Sequence, residues 1–103
     1  MKVSKFALFG KLSAKDGQRD VLVNILLQAA DSMRQLEDCE MYLVNISPED
    51  PNSVFVYEVW IDESAHQASL SLEAAQALIQ QAKPIIAGME RIATLSPKGG
   101  KGI

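Results

Sequence analysis

Apolar positions recur along this chain with two different spacings. From Val3 to Leu12 they alternate weakly around the centre Phe6-Ala7-Leu8-Phe9, which predicts a strand buried on at least one face. Ser13 to Gly17 interrupts it, and Asp16 is the expected N-cap of a helix. From Gln18 to Leu36 the apolar residues Val21, Leu22, Ile25, Leu26, Ala29, Met33 and Leu36 keep the spacing of a helix with one face on a core. Cys39 to Ile46 predicts a second strand, with Cys39, Met41 and Leu43 on one parity and Tyr42, Val44 and Ile46 on the other. The polar run Ser47–Asn52 predicts a turn. Ser53 to Ile61 is a third strand of strong β-formers, completing an antiparallel hairpin. Asp62 opens helical sequence that runs to Ala82, with a break between Ser69 and Leu72 and an end marked by Pro84 and Gly88. Met89 to Leu95 predicts a fourth strand.

The order is β-α-β-β-α-β, the split βαβ arrangement of a ferredoxin-like α+β domain. It implies a four-stranded antiparallel sheet with its helices on one face. Residues 1–95 form one domain in this reading, and 96–103 form a flexible tail. Strands two and three are apolar on both parities, so the face without helices needs a cover. A second sheet from another subunit is the economical one, and a homodimer is expected.

Length and charge narrow the picture. The chain has 103 residues, of which 48% are hydrophobic and 22% charged. That suits a single globular domain. A formal charge of -3 provides no basic stripe for phosphates, so nucleic acid is not an expected partner. One cysteine, Cys39, and one histidine, His66, cannot build an internal disulfide or a Cys/His metal cluster, and no metal or cofactor is expected. No apolar run is long enough to span a bilayer and no signal-like segment opens the chain. No membrane association and a cytoplasmic location are therefore expected.

Conventional catalytic motifs are missing: there is no Gly-x-Gly-x-x-Gly, and Gly10-Lys11-Leu12-Ser13 lacks the upstream glycine of a phosphate loop. His66, on the early part of the second helical region, reads first as an exposed and inert histidine. Tyr57 to Glu63 holds more information. Alternation puts Phe55, Tyr57, Val59 and Ile61 on one face of the strand and Val54, Val56, Glu58 and Trp60 on the other. Glu58 is then a carboxylate on an apolar face, where it needs a partner, and Arg91 is the candidate.

Lys15-Asp16-Gly17-Gln18 before a long helix, Cys39-Glu40-Met41-Tyr42, Asp50-Pro51, and the block from Phe55 to Ala65 with its Tyr57-Glu58-Val59-Trp60-Ile61-Asp62-Glu63 centre occur in one order across residues 3 to 95. In this the chain resembles the antibiotic-biosynthesis-monooxygenase family. The resemblance implies a dimeric α/β barrel and a pocket between sheet and helices. Members of that family oxidise quinol-like or polyphenolic rings with O2 and need no metal or flavin; relatives degrade haem, and another branch isomerises a phosphorylated sugar-derived signal. This chain departs from the family pattern at Ser69 and Ala74, where histidines are usual. The first-strand asparagine of the haem-degrading branch is also missing.

The implied activity is cofactor-independent oxygenation of a small aromatic or enolic compound. The protein binds the ring, removes a proton and keeps water from the radical pair. Asn45 would polarise a carbonyl, Trp60 would wall the ring, and His66 or Tyr57 would relay a proton. Tyr57, Glu58, Ala68 and Ser69 would contact substrate, with the small residues Ala65, Ala68, Ser69 and Ser71 leaving room for it. Met33, Met41 and Met89 could line such a pocket, but methionine at these spacings is core more often than ligand contact. Two other functions fit the same residues: a non-catalytic small-ligand-binding dimer, and an isomerase of a small carbonyl compound, for which Lys11, Arg19, Lys83 and Arg91 are the available cations.

Overall fold

The computed structural model describes residues 5–102. Its elements are β1 (Phe6–Ala14), α1 (Arg19–Met33), β2 (Cys39–Ser47), β3 (Asp50–Trp60), α2 (Glu63–Ser69), α3 (Glu73–Ala82) and β4 (Ile86–Leu95). The strands form one sheet in the order β2-β3-β1-β4, and every neighbouring pair is antiparallel. This is the ferredoxin-like α+β arrangement that the alternation and helical spacings imply.

Several boundaries differ from the sequence reading, each for a local reason. Asp16 does not cap α1. Its Oδ1 accepts a hydrogen bond from Asn52 Nδ2 at 2.8 Å, tying the start of the helix to the β2–β3 hairpin. The helix begins after Gln18 with no side-chain cap. The hairpin turn is only Pro48-Glu49; Asp50 and Pro51 already belong to β3. Strand β4 starts at Ile86 rather than Met89, so Gly88 lies inside a strand instead of closing a helix. The expected start of β1 at Val3 lies outside the described residues.

The second helical region divides where expected. Asp62 caps α2 through its Oδ1, which accepts the Ala65 N–H at 2.7 Å. The helix stops because its last hydroxyls turn back on the backbone. Ser69 Oγ donates to the His66 carbonyl at 2.6 Å, and Ser71 Oγ donates to the Ala68 carbonyl at 3.0 Å. Leu70–Leu72 then redirects the chain into α3.

Even-numbered residues of β1, β2 and β3 face the helices. Val54, Val56 and Ala14 pack with Leu22 and Leu26 in one cluster, and Phe6, Met33 and Trp60 form a second. Leu22, Leu26 and Val54 are at most 1% exposed. Burial of each such side chain contributes about 1.5–3 kcal/mol. The odd-numbered face is built differently. Ala7 and Val59 are buried there, but Phe9, Phe55 and Tyr57 are only partly covered and Leu43 is 49% exposed.

Candidate functional site

Between the helix-facing side of the sheet and the three helices lies a cavity of about 360 Å³. Leu8, Leu12 and Val56 form its floor, and Leu26, Leu70, Leu78 and Ile79 come down from the helices. The lining is mostly apolar; its polar members are Tyr42, Glu58, His66 and Ser69, which meet at one corner, and Lys11, Glu90 and Arg91 on β1 and β4. Ligand sites combine an apolar body with a few polar groups in this way.

Register assembles the corner. Tyr42 of β2 lies directly opposite Glu58 of β3, and Leu8 of β1 lies opposite it on the other side. Directly paired residues share a face, so both ring and carboxyl point under the helices. Glu58 Oε1 accepts a hydrogen bond from Trp60 Nε1 at 3.0 Å. His66 brings its Nε2 to within 3.9 Å of the same oxygen. That distance is an approach, not a hydrogen bond. The imidazole is held between Phe6, with ring centres 5.3 Å apart, and the edge of Trp60, at 5.7 Å. Its Nδ1 is buried and has no hydrogen-bond partner among the described residues.

Electrostatics follow from the dry setting. Burial raises the pKa of Glu58 above its usual 4.5, opposed by the Trp60 N–H and by the charge of Arg91. Burial, then Arg91, lower the pKa of His66 below 6.5, with Glu63 pulling the other way. Both groups are thus pushed toward their uncharged forms. Burial, reinforced by Glu58 and Cys39, raises the Tyr42 hydroxyl, so it stays a donor. Cys39 is pushed up to about 11 by burial and by Glu58. Among the described residues no three His, Cys, Asp or Glu side chains are gathered to hold a metal ion.

The residues singled out from sequence divide into three groups. Glu58, His66 and Ser69 line the cavity together. His66 is 5% exposed, so it is an interior histidine and not the exposed one its place on a short helix suggests. Asn45 and Tyr57 lie on the opposite face of the sheet. Asn45 pairs with Phe55 across the β2–β3 ladder, and its Nδ2 donates to the Phe55 carbonyl at 3.1 Å. It is too remote to act on a ligand beneath the helices. Trp60 and Ala68 border a separate groove between the end of α1 and α2, with Trp60 part of the core and Ala68 exposed. Met33 and Met89 line the main cavity, whereas Met41 pairs with Val59 on the open face. The cation expected beside Glu58 is replaced by the Trp60 indole; Arg91 acts on the carboxyl only through its field. Tyr42 was not singled out from sequence. From Met41–Val59 to Ile46–Val54 the paired numbers sum to 100, whereas the two-residue turn alone sets Ser47 opposite Asp50; the shift between Ile46 and Ser47 brings Tyr42 to Glu58, and no residue type marks it.

Comparison with known proteins agrees with this geometry. Residues 6–81 match the sequence model of the antibiotic biosynthesis monooxygenase family. A candidate antibiotic biosynthesis monooxygenase from Chloroflexus aurantiacus J-10-fl is 40% identical, with a TM-score of 0.86 over 96% of this chain and 98% of its own. A second such candidate, from Deinococcus radiodurans, is 23% identical with a TM-score of 0.76 over 95% of each chain. A protein of unknown function from Nitrosomonas europaea is 24% identical with a TM-score of 0.80, over 96% of this chain and 94% of its own. The last two show the shared fold alone. No protein of curated function matches the chain. Taken together, the match over residues 6–81 and the 40% identical structure place the chain in the antibiotic biosynthesis monooxygenase family.

Proposed function

We propose that the chain is a cofactor-independent monooxygenase of a small aromatic or quinol-like compound, with the cavity under the helices as its substrate site. The observation that carries this is Glu58: a largely buried carboxyl with a raised pKa on the wall of a mostly apolar cavity, its Oε1 fixed by Trp60. A base whose pKa rises toward that of the acidic substrate loses less driving force in proton transfer. Glu58 takes the proton from a phenolic or enolic group. Tyr42, which remains protonated, donates to the oxygen that gains charge. His66 approaches Glu58 closely enough to steady it once substrate closes the gap. The electron-rich anion passes an electron to O2, the radicals combine, and the peroxide collapses. One oxygen atom enters the substrate as a carbonyl, the other leaves as water, and the substrate carbon supplies all the electrons. An apolar enclosure keeps bulk water from the radical pair.

Oxygen uptake with a panel of quinols and anthrone-type compounds tests this. The expected result is consumption matched by product and lost in Glu58→Gln. No consumption above buffer, or an undiminished rate in Glu58→Gln, would overturn it. The same carboxyl could move a proton within a carbonyl compound, and turnover that persists without oxygen would favour that isomerase reading. The half-covered aromatic face formed by Phe9, Phe55 and Tyr57 supports a homodimer through the open side of the sheet. Light scattering should give about twice 11.2 kDa, and a particle of 11.2 kDa would contradict it.

A further inference from the structure

Strand β4 contains a bulge whose effect is to redirect one side chain. Toward its end β4 pairs regularly with β1, Leu8 with Thr94 and Phe9 with Ala93. Continued without interruption, that register would set Gly10 opposite Ile92 and turn Arg91 to the open face. Instead the ladder shifts between Phe9 and Gly10, Ile92 is left over, and Gly10 pairs with Arg91. An extra residue in one strand re-aims the side chains beyond it. Here the shift brings Arg91 to the helix side, at the rim of the cavity. Gly10, the residue opposite, has no side chain. A Cβ built there would meet only the Glu90 carbonyl oxygen, at 3.5 Å. The position opposite Arg91 on β1 is therefore left without a side chain.

Arg91 also has no internal use. Among the described residues no carboxylate lies within ion-pairing reach of it; Lys15, Lys83, Lys98 and Lys101 are likewise unpaired, but of these five cations only Arg91 lines the cavity. Its charge nonetheless bears on both Glu58 and His66.

We infer that Arg91 is a specificity-determining anion anchor, and that the cavity takes an aromatic compound bearing one carboxylate, with the ring among the aliphatic side chains and the carboxylate at Arg91. Arg91 is exposed at the rim, where a carboxylate can reach it, and a guanidinium matches a carboxylate in bidentate geometry. An anion at the rim keeps its charge away from the deeper Glu58 and orients the ring so that its opposite, acidic end meets that carboxyl. The inference rests on the cavity being the substrate site proposed above, and not on the oxygen chemistry.

Two probes of nearly equal ring size separate these points: 1-hydroxy-2-naphthoic acid and 1-naphthol, titrated into the intact protein by their own fluorescence. The expected result is that the acid binds at least tenfold more tightly than the naphthol. Arg91→Gln should erase that preference without weakening naphthol binding, and Arg91→Lys should restore part of it. Equal affinities in the unaltered protein, or a preference that survives Arg91→Gln, would overturn the anchor while leaving the cavity as an aromatic site. If neither compound binds, the cavity itself fails as that site, and the anchor and the proposed function fall together.

Discussion

On the helix-covered face of the sheet a glutamate, a tyrosine and an arginine stand among aliphatic side chains. On the opposite face Asn45 and Lys11 stand among aromatic ones. The inventories are similar, yet the polar groups behave differently. Asn45 gives its amide to a neighbouring strand carbonyl, and Lys11 pairs with Asp50 at 3.3 Å. Both are committed to holding the sheet together. Among the described residues Glu58 has a single donor at hydrogen-bonding distance, the Trp60 N–H, and it sits where burial raises its pKa. A polar group that has been desolvated without being fully partnered is available to a ligand; one that completes a ladder is not. The comparison therefore assigns chemistry to the covered face and contact to the open one.

Catalysis offers the sharpest way to break that assignment. Glu58→Gln keeps size and an acceptor for Trp60 but removes the base, and it should lower turnover by about 100- to 10,000-fold, the usual worth of a positioned general base. Asn45→Ala should leave turnover within about twofold. Steady-state oxygen uptake of the two variants decides the matter. A large loss in Asn45→Ala would mean that the open face reaches the chemistry after all.

Both faces were legible as patterns before they were seen as a structure, but not to the same depth. Parity alone put Glu58 with Val54, Val56 and Trp60, and Phe55 with Tyr57. The helix break at Ser69–Leu72 was visible in its serines. What parity cannot supply is register. Tyr42 joins Glu58, and Asn45 goes to the open face, only because the ladder shifts between Ile46 and Ser47; continued unbroken from Ser47–Asp50 it would set Tyr42 opposite Phe55. Arg91 reaches the cavity through a bulge that no residue type announces. Nor does helical position give burial: α2 is short and lies against β3, so His66 is inside despite its place on a polar helix. Local spacing carries the elements, while the site depends on pairings between strands distant in sequence.

Packing gives a second contrast, smaller in consequence. Leu26 is 1% exposed under the helices, and Leu43 is 49% exposed on the open face. Leu26→Ala should cost about 2–5 kcal/mol, as large-to-small changes in close-packed cores do. It should also enlarge the cavity that Leu26 lines. Leu43→Ala should cost under about 1 kcal/mol of stability within the single chain, because little apolar area is lost there. Urea unfolding at low protein concentration separates the two. If Leu43→Ala proves as damaging as Leu26→Ala, its side chain is buried by a second copy, and the loss should then depend on protein concentration.

The smallest expected effect, and the most specific to the covered corner, is in the pH dependence of stability. Glu58 has a folded pKa above its unfolded value of 4.5. Below pH 4.5 both states hold the proton and the shift costs nothing. As pH rises through 4.5 the unfolded chain releases the proton first, so folding loses stability until the folded pKa is reached, and the loss then stays constant. His66 works in the opposite sense. Its folded pKa lies below 6.5, so nothing is lost above that value. As pH falls through 6.5 the unfolded chain gains a proton that the folded one refuses, and stability declines. Glu58→Gln removes the first penalty and His66→Gln the second. Relative to the unaltered protein, Glu58→Gln should therefore gain thermal stability on going from pH 4 to pH 8, while His66→Gln should gain it on going from pH 8 to pH 5. Asn45→Ala, which removes no titratable group, should follow the unaltered protein across the range. Melting temperatures of the three variants at these pH values check the signs. A Glu58→Gln profile parallel to that of the unaltered protein would place Glu58 in water, and the distinction between the two faces would lose its electrostatic basis.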